Sequence, residues 1–347
     1  MKTTVNILLN GASGTIGYEV LRQIVSHSDY KLTVFDKETR QSKKLFTPYK
    51  DRINIVYGDL SNEDDVGRIQ GNIDVAIHLA AIIPPLADEK PELTRRVNVD
   101  GTQNIIRLLQ KTSPGAFLLY SSSVAVYGDR IQNPYISVED PLNARGEDIY
   151  AQTKITAENL IRNSGLNWCI FRLTAIMKNH KMSKLMFHMP LSTRMEICTA
   201  ADTARAFVEA IKHRAELAQQ VFNLGGGSQC YITYQEFLER SFRAFGLGKL
   251  NFPEHAFAER NFHCGIYVDG NKLEEILHFR SDTVDSYFVG VNRSVSSAKW
   301  LASSLFGPLI KHVLLLQSEP YKAYKTKNMS RMNLFFFPES KVSAVRS

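Results

Sequence analysis

Residues 5–17 read VNILLNGASGTIG, an apolar, β-branched-rich run that ends in a turn with glycine at positions 11, 14 and 17. The run predicts a first strand, and Val20, Leu21, Ile24 and Val25 beyond the turn recur at helical spacing. Glycines so placed serve a tight turn, close approach of backbone to a pyrophosphate, and close packing of helix on strand. The free N–H groups and positive end of the helix then face the phosphates. Gly11, Ser13, Gly14, Thr15, Ile16 and Gly17 are therefore expected to cradle a dinucleotide. A glycine-rich turn with no ligand is the competing reading, and the strand before it and helix after it argue against that.

Working outward, apolar runs at 4–9, 31–35, 53–57, 73–79, 116–120 and 167–171 alternate with helical stretches at 17–27, 98–111 and 150–163. That alternation predicts an α/β fold with a doubly wound parallel sheet covered by helices on both faces, the Rossmann arrangement. After Arg172 the pattern loosens, then resumes as a helix from 202 to 214, a strand at 221–224 and a helix at 233–245. The expected division is a dinucleotide-binding domain at 1–173, to which 221–224 returns, a smaller substrate-binding lobe at 174–295, and a basic, aromatic extension at 296–347.

Asp36 closes the second predicted strand, nineteen residues past Gly17, where a carboxylate would accept the hydroxyls of an adenosine ribose. This favours NAD. Lys37, Arg40, Lys43 and Lys44 nearby would instead suit the 2′-phosphate of NADP. Gly58-Asp59-Leu60 follows the third strand and would place a carboxylate near the adenine, and an ordinary turn is the alternative. Leu79, Ala80 and Ala81 end the fourth strand with side chains small enough for close backbone approach to the cofactor, whereas His78 reads as a packed, hydrogen-bonded histidine.

Tyr150 and Lys154 stand at i and i+4, on one helix face. A phenol of ordinary pKa near 10 is a poor acid-base group at neutral pH, and a neighbouring ammonium stabilises its phenolate. The pair alone is equally an exposed surface pair. Tyr120-Ser-Ser-Ser123 ends the fifth strand, however, and puts hydroxyls at the carboxyl edge of a parallel sheet, where such folds bind ligands. Ser123 is expected to hold a substrate oxygen beside Tyr150, with Ser121 and Ser122 structural. No G-x-S-x-G elbow surrounds these serines, which argues against a hydrolase.

The 347 residues are 44% hydrophobic and 22% charged, ordinary globular composition. Cys169, Cys198, Cys230 and Cys264 lie far apart, with no spacing that encodes a disulfide framework or a metal site, so a reducing, cytoplasmic setting and no metal are expected. Of the net charge of +7, +5 lies between Lys311 and Ser347, so the body of the chain lacks the basic face that nucleic acid requires.

These elements together resemble the extended short-chain dehydrogenase/reductases of the NAD-dependent epimerase/dehydratase family. The matching stretches are GASGTIG at 11–17, Asp36, Asp59, HLAA at 78–81, NVDGT at 98–102, SSSVAVYG at 121–128 and Tyr150 with Lys154, with NLGGG at 223–227 and YVDGNKLEEIL at 267–277 farther on. The resemblance implies Ser123, Tyr150 and Lys154 as catalytic residues and Asn98 as support for the site. It implies cofactor contacts from the glycine turn, Asp36, Lys37, Asp59, Leu60, Leu79, Ala80, Ala81, Asn98, Ser121, Tyr150, Lys154 and Leu173. It also implies a homodimer built on the helices at 98–111 and 150–163.

Three departures narrow the expected chemistry. Val124-Ala125 replaces the Asp-Glu pair of family 4,6-dehydratases. Arg172-Leu-Thr-Ala175 replaces an Arg-Pro-x-Asn stretch common in sugar-nucleotide members, and the span from Arg172 to Asp202 is short. Arg194 lies near the place of a diphosphate-binding arginine and suits a surface salt bridge equally. The expectation is an NAD(P)-dependent oxidoreductase or epimerase acting on a secondary alcohol or ketone of a sugar or sugar nucleotide. A non-catalytic dinucleotide sensor or scaffold is the alternative. In the tail, Trp300 to Leu316 is interrupted by Pro308 and cut by Lys311, too short to span a bilayer. Lys322, Lys325, Lys327 and Arg331 before Leu334-Phe-Phe-Phe337 suggest either a peripheral membrane contact or packing against the body or a partner subunit.

Overall fold

The computed structural model describes residues 4–144, 148–260 and 263–337. Its strands, in chain order, are β1 Val5–Asn10, β2 Tyr30–Asp36, β3 Ile53–Tyr57, β4 Val75–His78, β5 Phe117–Ser123, β6 Tyr135–Ile136, β7 Asn167–Leu173, β8 Ala175–Met177, β9 Arg194–Thr199, β10 Gln220–Leu224, β11 Tyr231–Thr233 and β12 Ile266–Tyr267. Seven of them make one sheet in the order β10-β7-β5-β4-β1-β2-β3, every neighbouring pair parallel. The strand order reverses between β1 and β4, and parallel sheets open a ligand crevice at the carboxyl ends on either side of such a point.

The helices that bear on the site and the tail are α1 Thr15–Ile24, α2 Gly101–Thr112, α3 Ile149–Arg162, α4 Ala200–Glu209, α5 Tyr234–Ala244, α6 Asn271–Leu277, α7 Val284–Ser294, α8 Ser297–Leu305, α9 Gly307–Leu315, α10 Glu319–Lys325 and α11 Met329–Phe335. Alternate strand residues feed two cores. Leu9, Val34, Ile77, Leu119 and Phe171 point to the face covered by α1 and α4, and Leu8, Ala76, Leu118 and Ile170 to the face covered by α2 and α3. A third cluster, rich in Phe and Met, joins the β8–β9 region to α5 and α7 and forms the second lobe.

Of the boundaries that differ from the sequence expectation, two bear on the site. The strand expected at 73–79 begins only at Val75, because the Asp74 carboxylate accepts from the backbone and side-chain nitrogens of Asn6 at 2.8 and 3.1 Å and so serves as a tie beside the strand's start. The helix expected from 98 opens with a wide turn at Arg96–Asp100 before α2 proper, and that turn brings Asn98 inward to 1% exposure. In the tail the helical stretch breaks at Phe306, and Pro308 sits in the first turn of α9, where its missing N–H costs nothing. Residues 338–347 of the expected extension, with Lys341 and Arg346, lie outside the described residues.

Candidate active site

The turn after β1 shows why glycine stands there. Gly11 has φ +77°, and a Cβ on it would lie 2.6 Å from the Ala80 nitrogen. One on Gly17 would meet the Gly11 carbonyl oxygen at 2.1 Å, so α1 and β1 approach closer than any side chain permits. Helix α1 starts with no side-chain cap and no acidic residue in its first turn, which leaves its first N–H groups and dipole free for an anion. Thr15 is exposed and Ile16 half-buried in that turn.

Beside it lies a cavity of about 260 Å³ lined by Gly11, Ser13, Gly14, Asp36, Lys37, Asp59, Leu60 and Leu79 to Ile82 among others. The Asp36 carboxylate closes one end. It accepts from the Ser13 nitrogen at 2.7 Å, the Ser13 hydroxyl at 2.9 Å and the Lys37 nitrogen at 2.7 Å, so the acidic side chain also braces the glycine turn. Burial raises its pKa against these bonds. Lys37, which could have met a 2′-phosphate, instead has its ammonium 3.6 Å from the Asp59 carboxylate, and Lys43 pairs with Glu38. Asp59 is further held by the Ser61 nitrogen and hydroxyl. This set fits the adenosine half of NAD: carboxylate acceptors stand at the ribose end, and Lys37 and Lys43 are each paired with an acidic side chain, whereas Arg40 and Lys44 stay exposed.

Ser123 ends β5 in register with Leu173 at the end of β7, at the carboxyl edge of the sheet. The Tyr150 phenol, on α3, lies beside Ser123, whose hydroxyl oxygen accepts from the Ala125 nitrogen at 3.2 Å. Lys154 is 2% exposed, and its ammonium donates to the Ser121 carbonyl oxygen at 2.7 Å while lying 4.7 Å from the Tyr120 ring centre and 5.9 Å from that of Tyr150. Asp148 caps α3 by accepting from the Ala151 nitrogen. The three expected side chains thus converge on one corner.

Burial opposes the ionisation expected of the Tyr150–Lys154 pair in the chain alone. It pushes the Tyr150 phenol up to about 12, with the Ser123 hydroxyl pulling the other way and Asp148 adding to the rise. Burial also pulls Lys154 down to about 7, against the opposing field of Glu158. The protein by itself therefore holds the phenol neutral. The i,i+4 argument from sequence omitted the desolvation of both partners and the ammonium's engagement with a backbone carbonyl.

Two supporting networks stand around this corner. Asn98 accepts from the Ile82 nitrogen at 2.7 Å and donates to the Ile82 carbonyl and the Thr153 hydroxyl, both at 3.0 Å, so its amide ties α3 to the loop after β4. Expected also as a cofactor contact, it spends these groups on protein. His78 is fully buried between Asn10 and Thr102 and held neutral at about 3, a packed histidine. Sequence reading did not find the second network: Glu158, one turn beyond Lys154, takes the Arg172 guanidinium and the Ser122 hydroxyl, and Arg172 reaches on to Tyr127, which donates to Asn223. A glutamate and an arginine on core-facing positions of a helix and a strand were the available signal. Arg194 is exposed and donates to the Tyr135 hydroxyl.

Comparison with known proteins is consistent with this geometry. The model of the NAD dependent epimerase/dehydratase family matches residues 7–189. A sterol-4-alpha-carboxylate 3-dehydrogenase, decarboxylating, of Candida albicans is 31% identical over 174 residues, 47% of this chain and 47% of that protein. The 3 beta-hydroxysteroid dehydrogenase type 7 of Mus musculus is 25% identical over 268 residues, 70% of this chain and 72% of that one. The chain spans about half the length of most of the curated relatives it matches. Among solved structures, the UDP-Glc/GlcNAc 4-epimerase of Campylobacter jejuni superposes with a TM-score of 0.68 at 18% identity, over 84% of this chain and 99% of that one, a likeness of fold.

Proposed function

The chain belongs to the NAD dependent epimerase/dehydratase family, and on that premise we propose that it oxidises, reduces or epimerises a secondary alcohol or ketone with Tyr150, Ser123 and Lys154 as its catalytic residues. The observation that carries this reading is the convergence of Ser123, at the carboxyl edge of the sheet, with buried Tyr150 and Lys154 on one face of α3. Ser123 positions the substrate oxygen. Tyr150 takes the hydroxyl proton in the oxidative direction and returns it in the reductive one, at the phenol oxygen. Lys154 holds the Ser121 carbonyl, and in its charged form it would favour proton loss from the phenol as substrate and cofactor complete the site. Bound NAD would supply the hydride acceptor for oxidation of the reacting carbon and, reduced, the hydride donor for the reverse. Gly11 to Gly17 would hold its pyrophosphate and Asp36 its adenosine ribose.

For the substrate, a sugar or sugar nucleotide is the reading carried by the sequence resemblance. A second reading, an alcohol with an apolar, sterol-like body, is favoured by the segment between β8 and β9. There Met182, Met186, Phe187, Met189 and Leu191 pack with the second lobe's apolar core, and Lys178 and Lys184 are paired with Glu19, Glu89 and Glu319, which leaves Lys181 as the exposed lysine of the segment. Four buried free thiols accord with a cytoplasmic site of action, and a homodimer through α2 and α3 remains part of the proposal. The test is to follow reduced-nicotinamide absorbance, and product stereochemistry, for wild type and Tyr150→Phe with NAD and a panel of nucleotide sugars and 3β-hydroxysteroids. Turnover of one class, lost in the variant, supports the assignment, and no turnover or cofactor binding removes it.

A further inference from the structure

The outer face of the α8–α9 pair is apolar, and among the described residues nothing covers it. Leu301, Leu305, Phe306, Leu309, Val313 and Leu316 are between 48% and 70% exposed. On α9 the opposite face is already used: Ile310, Leu314 and Leu315 pack into the second lobe's core, and the Lys311 ammonium donates to the Lys249 carbonyl and the Asn251 side chain. Phe306, Leu309, Val313 and Leu316 follow at helical spacing on the side that faces away. Contiguous exposed side chains of this size are uncommon on a protein that meets only water.

Charge identifies what covers them. Residues 286–347 carry nine Lys or Arg and two Glu, so the chain's entire net charge of +7 resides there and residues 1–285 are neutral. No acidic residue occurs between Asp285 and Glu319, the stretch that contains both helices. Lys299 on α8, Lys322 and Lys325 on α10, and Lys327 are exposed. A basic segment with an apolar outer stripe matches an anionic bilayer surface, whose headgroups attract the lysines while the stripe enters the acyl boundary. A second copy of this chain would bring like charge against like charge. No helix among the described residues is long and apolar enough to cross a membrane, and each of these two has nine residues, so the pair lies in the interface plane.

We propose that the α8–α9 face docks this protein onto anionic lipid membranes. Of Leu334 to Phe337, which the sequence suggested for that role, Leu334 is exposed while two of the phenylalanines pack on the body. Phe335 packs on His188 and Phe336 on His255, and the Phe335 carbonyl accepts from the Glu259 and Arg260 nitrogens.

The test sediments the full-length protein with vesicles of phosphatidylcholine, alone or with about one-third phosphatidylglycerol, at low and high salt. Wild type is expected to bind the anionic vesicles at least about tenfold more tightly, with high salt removing most of the difference. Leu305→Ser/Leu309→Ser, which keeps the charge, is expected to weaken binding at least about fivefold with an unchanged melting temperature, because both side chains are exposed. Failure of wild type to sediment, or equal sedimentation of the double variant, overturns the proposal. So does a concentration-dependent dimer, dispersed by the double variant, in a protein that ignores vesicles.

Discussion

Arg172 grips Glu158 with two nitrogens, Nε 3.0 Å from Oε1 and Nη2 2.8 Å from Oε2, in a part of the molecule where both side chains are almost wholly out of solvent. Glu158 sits one turn beyond Lys154 on α3, and its remaining capacity takes the Ser122 hydroxyl at 2.5 Å, one residue before Ser123. The pair therefore locks the helix that carries Tyr150 to the strand that carries Ser123. Glu158 also supplies the negative field that opposes desolvation of Lys154.

Glu158→Gln leaves a buried guanidinium without its counter-charge, and breaking such a pair costs on the order of 3–5 kcal/mol. Urea denaturation should show a loss of this size. At temperatures where the variant stays folded, the midpoint of its pH–activity profile should also shift, since Lys154 loses the carboxylate that favours its charged form. An unchanged profile in a folded variant would make the pair structural only.

Asp36→Asn removes the charge at the ribose end of the cleft and weakens the brace on Ser13. Loss of charge-assisted hydrogen bonds predicts NAD affinity lower by about ten- to a hundredfold, with discrimination against NADP reduced. Calorimetric titration of both nucleotides checks it. Equal binding of NAD and NADP by wild type would contradict the role given to Asp36.

Gly17→Ala forces a methyl group against the Gly11 carbonyl, and backbone must move on both sides. The expected outcome is about 1–3 kcal/mol of destabilisation together with loss of NAD binding. Gly67→Ala is the control, since its Cβ meets nothing within 4 Å, and it should leave both properties nearly unchanged.

His78 titrates near 3 in the folded chain because burial, and then the Lys154 charge, disfavour its imidazolium, whereas an unfolded histidine takes a proton near 6.5. The folded pKa is depressed, so the stability gained from keeping the ring neutral is full above about pH 6.5 and is lost as pH falls toward 3. The limiting slope is about 1.4 kcal/mol per pH unit. Chemical denaturation between these pH values should show it, and His78→Gln should flatten the dependence.

The fold was legible because its determinants are local. The glycine turn at 11–17, strand-length apolar runs and Tyr150-x-x-x-Lys154 each announce their conformation within a few residues, and the strand ends that carry Asp36 and Ser123 follow from them. What escaped reading depends on neighbours distant in sequence. Glu158 and Arg172 are fourteen residues apart, and their contact exists only once α3 lies on β7. The ionisation of Tyr150 depends on burial, which spacing does not report, and the engagement of Lys37 by Asp59 depends on β2 and β3 pairing in register. The exposed face of α8 and α9 read as ordinary helix, because periodicity tells which residues share a side and not whether that side is covered.

Most directly at stake is the phenol oxygen of Tyr150. Tyr150→Phe deletes that one atom, at a buried position where the ring packing is kept, and leaves the glycine turn untouched. Single-turnover kinetics with NAD and a turned-over alcohol should show the chemical step slowed by about 10²–10⁴-fold, with NAD affinity within about threefold of wild type. A variant that turns over at nearly the wild-type rate would contradict proton transfer at Tyr150 and return the protein to the reading of a dinucleotide-binding sensor or scaffold.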